Sequence, residues 1–190
     1  TPASARSWDA PRTLRRGSDF RVQDGGPWHN AICRRVATMN PGPIALISSG
    51  ETTSSGGLVF DALARGRSSP LRIAMIETPA GFEPNSDRVV GKVATYLEQR
   101  LQNFKPIPTA IHARRRAGPA GTDDPATGIA VFEADLIYLG AGSPSYAVRH
   151  LADSWLWSAV LARQALGAGL AMASAAAVAS GALALPVYEI

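Results

Sequence analysis

Five short apolar runs, separated by segments of helical character, constrain the fold of this chain more than any other feature of its sequence. Each run ends in glycine or in polar residues, as a strand buried in a parallel sheet does. Strands that alternate with helices over short links predict a parallel sheet with helices on both faces and right-handed crossovers. The predicted strands cover residues 43–49, 71–76, 106–111, 136–139 and 169–173.

Helices are predicted between these strands. Residues 86–101 carry apolar side chains at a spacing of three to four, and Asn85 or Ser86 can cap the start of that helix. A long helix at 146–166 is expected to break near Asp153 and Ser154. The other predicted elements are a helix at 56–64, a turn or short helix at 124–132 and a final helix at 175–183. The sequence therefore predicts a three-layer α/β fold with a mostly parallel sheet.

The charge of the chain is unevenly distributed. The 190 residues have a net charge of +4, and residues 1–38 alone carry seven arginines against three aspartates. Residues 39–190 are therefore neutral overall, which argues against nucleic-acid binding by the folded part. We predict an irregular basic leader at 1–38 and an α/β domain at 39–190. Met39 is the expected natural start, and the alternative is a native extension that packs on the domain.

Neither a disulfide nor a metal site is predicted, because the chain has one cysteine, Cys33 in the leader, and three scattered histidines. Residues 164–188 lack charged side chains, but they are mostly Ala, Gly and Ser and include Pro186. A buried strand and helix explain this run better than a membrane span. The leader lacks the apolar core of a secretory signal, so we expect a cytoplasmic protein.

In parallel sheets of this kind, ligands bind at the carboxyl ends of the strands. Glycines and polar residues are concentrated at those ends in this chain, including Glu51, Glu77 and His112 after the first three strands. Either glutamate could contact an amine or orient a base, and the alternative is an exposed acid without a role. Ser143 follows the fourth strand and Ser174 the fifth.

Ser174 gives the sharpest signal at this edge. It follows an apolar strand and begins an alanine-rich helix, within the sequence MASAAA at 172–177. A serine in a tight strand-to-helix turn with small neighbours is typical of a nucleophile elbow. The N–H of Ala175 would then be one oxyanion donor. A serine that only caps the helix fits the same pattern, and the two alternatives stay open.

The loop at 140–144, GAGSP, links the fourth strand to the next helix. A dinucleotide-binding loop is a weak interpretation, because Ser145 stands in place of the third glycine and no acidic residue ends a strand about 20 residues further on. The better interpretation is a loop that brings a backbone N–H close to the mouth of the fifth strand. An ordinary glycine turn is the alternative.

Three motifs taken in order resemble the cyanophycinase and aspartyl dipeptidase (dipeptidase E) family of serine peptidases. They are IALISSGE at 44–51, LIYLGAGS at 136–143 and MASAAA at 172–177. The resemblance implies a flavodoxin-like fold similar to class I glutamine amidotransferases. It implies a nucleophile at Ser174 and an oxyanion hole made by the backbone of Ala175 and Gly142. A serine where amidotransferases have cysteine argues against glutamine-amide transfer.

Two departures from the family pattern bear on activity. Met172 and Ala176 stand where the family has glycine, and the long Met172 side chain could crowd the site. The family's catalytic His and its acidic partner lie downstream of the nucleophile, whereas this sequence ends at Ile190. We therefore expect a domain truncated at its C-terminus or one that has lost its base. His112 is a less favoured substitute.

The leading hypothesis is a serine-type peptidase that cleaves a peptide or isopeptide bond and needs no metal or organic cofactor. Glu51 and Ser143 are candidates for contacting the substrate. The alternative is a non-catalytic amidotransferase-like domain that binds a small molecule or a partner, and nucleotide binding through the glycine loop ranks last. No nucleic acid and no membrane are expected as partners, and a homodimer is compatible with the sequence.

Overall fold

The sheet has five parallel strands in the order β1-β5-β4-β2-β3. A computed structural model of the chain describes residues 40–186. The strands are β1 Ile44–Ile47, β2 Arg72–Ile76, β3 Ile107–Ile111, β4 Leu136–Leu139 and β5 Gly169–Ala173. The predicted parallel α/β sheet is confirmed, and the strand ends differ from the predicted ones by two residues at most.

Helices connect the strands within residues 40–186. They are α1 Ser54–Ala64, α2 Ser86–Arg100, α3 Ile129–Glu133, α4 Pro144–Leu151, α5 Trp155–Ala165 and α6 Ala175–Ala179. Short 3₁₀ turns lie at Thr78–Ala80, Gln102–Phe104 and Pro125–Gly128.

The predicted break near residue 153 separates α4 from α5. Asp153 has a φ of 56°, a left-handed conformation that aspartate tolerates better than most residues. Ser154 follows as the cap of α5, and its Oγ accepts the N–H of Trp157 at 3.1 Å. The two residues on which the prediction rested therefore end one helix and begin the next.

Two apolar layers hold the helices against the two faces of the sheet. On one face, α1 and α2 contribute Phe60 and Leu97, which are fully buried. On the other face, α3, α4, α5 and α6 contribute residues to a second apolar layer, which includes the fully buried Leu156 of α5. Alternate residues of the central strand β4 enter opposite layers, with Tyr138 in the first and Ile137 in the second. The core therefore sits on both sides of β4, as the three-layer prediction requires.

β1 is not the buried strand that its apolar run predicted. It lies at the edge of the sheet beside β5, with Ala45 and Ile47 packed in the layer of α1 and α2. Ile44 and Leu46, on its other face, are 55% and 64% exposed. An apolar run alone does not distinguish a central strand from an edge strand with one covered face, and this is why the prediction was wrong.

α6 is shorter than the helix predicted at 175–183 and ends at Ala179. The N–H of Gly181 donates to the carbonyl of Val178, and the Ser180 Oγ donates to the carbonyl of Ala177. Glycine is a poor helix former, so the helix ends early. No helix within residues 40–186 is long and apolar enough to cross a membrane. The leader predicted at 1–38 lies outside the described residues.

Candidate active site

The sheet order brings the predicted site residues together at one end of three neighbouring strands. β5 lies between β1 and β4, so the turn that begins with Ser174 is flanked by the ends of both neighbours. The N–H of Ser174 donates to the carbonyl of Ile47, the last residue of β1, at 2.9 Å. On the other side, the N–H of Ala176 donates to the carbonyl of Gly140, just after β4, at 3.2 Å.

Ser174 has the backbone of a sharp strand-to-helix turn. Its φ is 51° and its ψ is −120°, and it is half-buried. A positive φ is uncommon outside glycine and costs about 1–3 kcal/mol, so it persists only where the surroundings impose it. The side chain makes no capping hydrogen bond to α6. Of the two alternatives left open by the sequence, this geometry fits the elbow and not the helix cap.

Small, buried residues surround the turn. Ala173, Ala175 and Ala176 are each at most 4% exposed, which leaves little room for larger side chains. Ala175 is the first residue of α6, so its N–H has no acceptor within the helix. This donor therefore fits the predicted role of Ala175 at an oxyanion hole.

Met172 does not crowd the turn. It is 5% exposed and packs in the apolar layer between the sheet and α4, α5 and α6. There it lines a small apolar pocket together with Leu139, Leu151 and Trp157. The side chain two residues before Ser174 therefore belongs to the core.

Gly142 is packed so closely that no other residue fits. Its φ is 144°, and a Cβ atom would lie 1.9 Å from the carbonyl oxygen of Pro79. The N–H of the next residue, Ser143, donates to the same oxygen at 2.9 Å. The loop is therefore hydrogen-bonded to the Pro79 carbonyl through Ser143, and the Gly140 carbonyl is hydrogen-bonded to α6. The loop approaches the turn after β5 through the Gly140 carbonyl, and a backbone N–H of the loop at the end of β5 stays a prediction.

The Ser143 side chain has a structural task. It is 3% exposed, and its Oγ caps α4 by accepting the N–H of Tyr146 at 3.2 Å. A substrate contact by Ser143 stays a prediction. Its hydroxyl oxygen already accepts a hydrogen bond from the N–H of Tyr146.

Glu51 and Tyr138 reach across the end of β5. Glu51 follows β1 and Tyr138 lies on β4, yet the Tyr138 hydroxyl is 3.5 Å from Oε1 of Glu51, at the outer limit of a hydrogen bond. Burial raises the pKa of Tyr138, and the Glu51 carboxylate raises it further. The tyrosine therefore stays protonated and can donate to Glu51. The strands that bear these residues flank β5, so the pair lies at the same end of the sheet as the elbow.

Glu77 is the main functional candidate whose environment the sequence did not predict. Its side chain is fully buried, not exposed. Oε2 lies 2.5 Å from Nδ1 of His112, and Oε1 accepts from Nε of Arg114 at 2.7 Å and from the Ser86 hydroxyl. β2 and β3 pair with Ile76 beside Ile111. Glu77 and His112 follow these two residues directly, so the register of the strands would have indicated that they meet.

Each of the two histidines of the described residues is hydrogen-bonded to a residue other than Ser174. His112 follows β3, three strand spacings from β5, or about 14 Å. His150 is held by its own contacts: its Nδ1 accepts the N–H of Arg116 at 3.0 Å, and its ring lies against Tyr146. Burial, with the charges of Arg149 and Arg116, lowers the pKa of His150. Among residues 40–186, no group of His, Cys, Asp and Glu could hold a metal ion.

The fold is similar to that of two solved structures. A peptidase from an acI-B1 actinobacterium superposes with a TM-score of 0.57 at 26% sequence identity, over 73% of this chain and 56% of that one. A candidate peptidase E protein from Listeria monocytogenes EGD-e gives 0.51 at 16% identity, over 73% of this chain and 61% of that one. The chain thus spans less than two thirds of either protein. No family model and no curated protein sequence match it. These similarities confirm the predicted flavodoxin-like α/β fold.

Proposed function

We propose that this protein is a serine-type hydrolase of the peptidase class, in which Ser174 attacks the carbonyl carbon of a peptide or isopeptide bond. The observation that carries the proposal is the strained Ser174 backbone, at φ 51° and ψ −120°, between β5 and α6. Strain of this kind collects at functional sites, and a serine so placed is typical of a nucleophile elbow. The fold shared with a peptidase at 26% identity supports the same class of reaction.

The proposed reaction is an acyl transfer in two steps. The Ser174 Oγ bonds to the carbonyl carbon while its proton passes to a base, and the N–H groups of Ala175 and Gly142 stabilise the oxyanion. The intermediate then expels the amine, which takes up the proton. Water hydrolyses the remaining ester and regenerates the serine. Neither step uses a metal or an organic cofactor.

The base is the part of this proposal that residues 40–186 do not supply. A serine hydroxyl is a weak nucleophile without an adjacent base. Of the two described histidines, His112 is paired with Glu77 and His150 accepts from the N–H of Arg116. The resemblance to the dipeptidase E family implies a histidine downstream of the nucleophile. We therefore expect the proton acceptor to come from a part of the protein outside the described residues.

Glu51 is proposed to contact the substrate. Its half-buried carboxylate lies near the Tyr138 hydroxyl, at the same end of the sheet as the elbow. A carboxylate in this place suits a positively charged group, such as an amine of the substrate. Tyr138 would hold the carboxylate in position by donating to it.

A second candidate is a non-catalytic domain that binds a small molecule or a partner at the same edge. The position of His112, about 14 Å from the β5 strand, favours it, because this histidine is then too far away to act as the base of Ser174. In this case the strained elbow would shape a binding site, and Ser174 would not react with an electrophile.

Labelling with a fluorophosphonate probe distinguishes the two candidates. The native full-length protein is expected to react at one site, and Ser174→Ala is expected to abolish the reaction. Ser180→Ala is the matched control, because Ser180 is an exposed serine on the same short segment and should leave labelling unchanged. A native protein that does not react, or a Ser174→Ala variant that still does, would rule out the hydrolase and favour binding.

A further inference from the structure

Glu77 is a fully buried carboxylate that the proposed reaction does not use. We propose that Glu77 is a positioning residue, which holds the Pro79 carbonyl and through it the Gly142 loop at the oxyanion hole. This inference rests on the proposed function. The inference adds to the proposed function a residue that affects the rate of the reaction without contacting the substrate.

The first step of the argument is that the Glu77 carboxylate is held from three sides. Arg114 donates to Oε1 at 2.7 Å, the Ser86 hydroxyl donates to the same oxygen, and Nδ1 of His112 lies 2.5 Å from Oε2. A buried charge is costly unless it is paired and hydrogen-bonded, and this one is both. The side chain is therefore fixed to α2 through Ser86 and to the loop after β3 through His112 and Arg114.

The second step is that the fixed residue begins the turn that carries Pro79. The N–H of Glu77 donates to the carbonyl of Ile111 at 3.1 Å, and the carbonyl of Glu77 accepts from Ala80 at 3.0 Å. Within the turn, the Thr78 Oγ1 donates to the carbonyl of Ala113 at 2.6 Å. The turn Thr78–Ala80 is buried throughout. Pro79 therefore follows two residues, Glu77 and Thr78, that are both bonded to β3 or to the loop after it.

The third step is the contact of this turn with the glycine loop. The Pro79 carbonyl oxygen accepts the N–H of Ser143 at 2.9 Å, and it lies 1.9 Å from where a Cβ of Gly142 would stand. A displacement of the Pro79 carbonyl would therefore displace the peptide that carries the Gly142 N–H. Oxyanion donors act only within a narrow range of distances, and loss of one costs about 10²–10³ in rate in a well-studied protease. A loosened turn is expected to lower the rate by a smaller factor.

The closing experiment compares Glu77→Gln with Asp87→Asn in the full-length protein, using the fluorophosphonate. Gln keeps the shape of Glu77 and removes its charge. Asp87 is the control, because it is an exposed acid 3.9 Å from Arg114 and its substitution changes the charge by the same amount. We expect Glu77→Gln to lower the saturating rate constant of labelling about tenfold. The half-saturating probe concentration should change less than twofold. Asp87→Asn should leave both quantities unchanged.

His112→Ala provides a second, milder variant, because its side chain is 57% exposed and its loss is not expected to unfold the protein. It should lower the same rate constant by a smaller factor. The double variant with Glu77→Gln should be no slower than Glu77→Gln alone, since both act through one contact network.

The outcomes separate the two proposals. If the native protein is not labelled at Ser174, the proposed function fails. If it is labelled and Glu77→Gln reacts at the native rate per folded molecule, the positioning role is overturned and the hydrolase stands. A lower melting temperature with an unchanged saturating rate would also overturn the positioning role, since it would mean that Glu77 only stabilises the fold.

Discussion

The N–H of Ala176 donates to the carbonyl of Gly140 at 3.2 Å, and this bond joins the first turn of α6 to the loop that follows β4. The two oxyanion donors proposed here lie on the two segments that it connects, Ala175 on α6 and Gly142 on the loop. A backbone contact therefore helps to set the relative position of the two donors.

Ser174→Gly should stabilise the protein while it abolishes reaction with the fluorophosphonate. Glycine adopts the φ of 51° without the strain that a Cβ imposes, which costs about 1–3 kcal/mol here. Glycine also gives the unfolded chain more entropy, which offsets part of this relief of strain. We therefore expect the free energy of unfolding to rise by only ~1 kcal/mol. Urea denaturation measures the difference. Ser180→Gly is the control, and because Ser180 has a negative φ, it should not become more stable.

Gly142→Ala should both destabilise the protein and slow labelling of Ser174. The new Cβ would meet the Pro79 carbonyl at 1.9 Å, and the φ of 144° is unfavourable for alanine. We expect a loss of ~3 kcal/mol or more, because backbone atoms must move. The melting temperature and the labelling rate per folded molecule check both parts.

Gly91→Ala is the matched control for that variant. Gly91 lies inside α2, and nothing stands within 4 Å of its added Cβ. Alanine is the better helix former by about 1 kcal/mol, so this variant should be more stable than the native protein and should react at the native rate. A Gly142→Ala protein as stable as Gly91→Ala would contradict the described packing of the loop.

Met172→Ala tests whether the residue two positions before the nucleophile belongs to the core or to the site. Met172 is 5% exposed in the layer of α4, α5 and α6, so truncation should cost about 2–5 kcal/mol in the free energy of unfolding. The labelling rate per folded molecule should stay within twofold of the native rate. A faster reaction would show that the methionine obstructs the turn.

Much of the fold could be predicted because each strand and helix depends on local pattern. The break between α4 and α5 followed from Asp153 and Ser154, which are a left-handed residue and a helix cap in the structure. The turn at Ser174 followed from small residues between an apolar strand and an alanine-rich helix. These signals lie within a few residues of the feature that they specify.

The remaining features depend on which strands become neighbours. The exposure of Ile44 and Leu46 reflects the edge position of β1, which its own sequence does not encode. The environment of Glu77 depends on His112 and Arg114, which meet it only once β2 and β3 are paired. The fit of Met172 in the core likewise depends on helices distant in sequence. Sequence order alone could not supply these relationships.

The stability of the protein should fall as the pH is lowered through about 6.5, in part because of His150. Burial and the charges of Arg149 and Arg116 lower the pKa of this imidazole in the folded protein. The unfolded chain then binds a proton more readily than the folded one, so the stabilising contribution is present above the unfolded pKa, about 6.5, and is lost as the proton binds. The contact itself gives the reason, because a protonated Nδ1 can no longer accept the N–H of Arg116.

His150→Gln tests this contribution, because Gln keeps an acceptor at this position and has no charge to gain. In urea denaturation at pH 7.5 and 5.5, His150→Gln should therefore lose less stability than the native protein, and an equal loss in both would show that other groups cause the pH dependence.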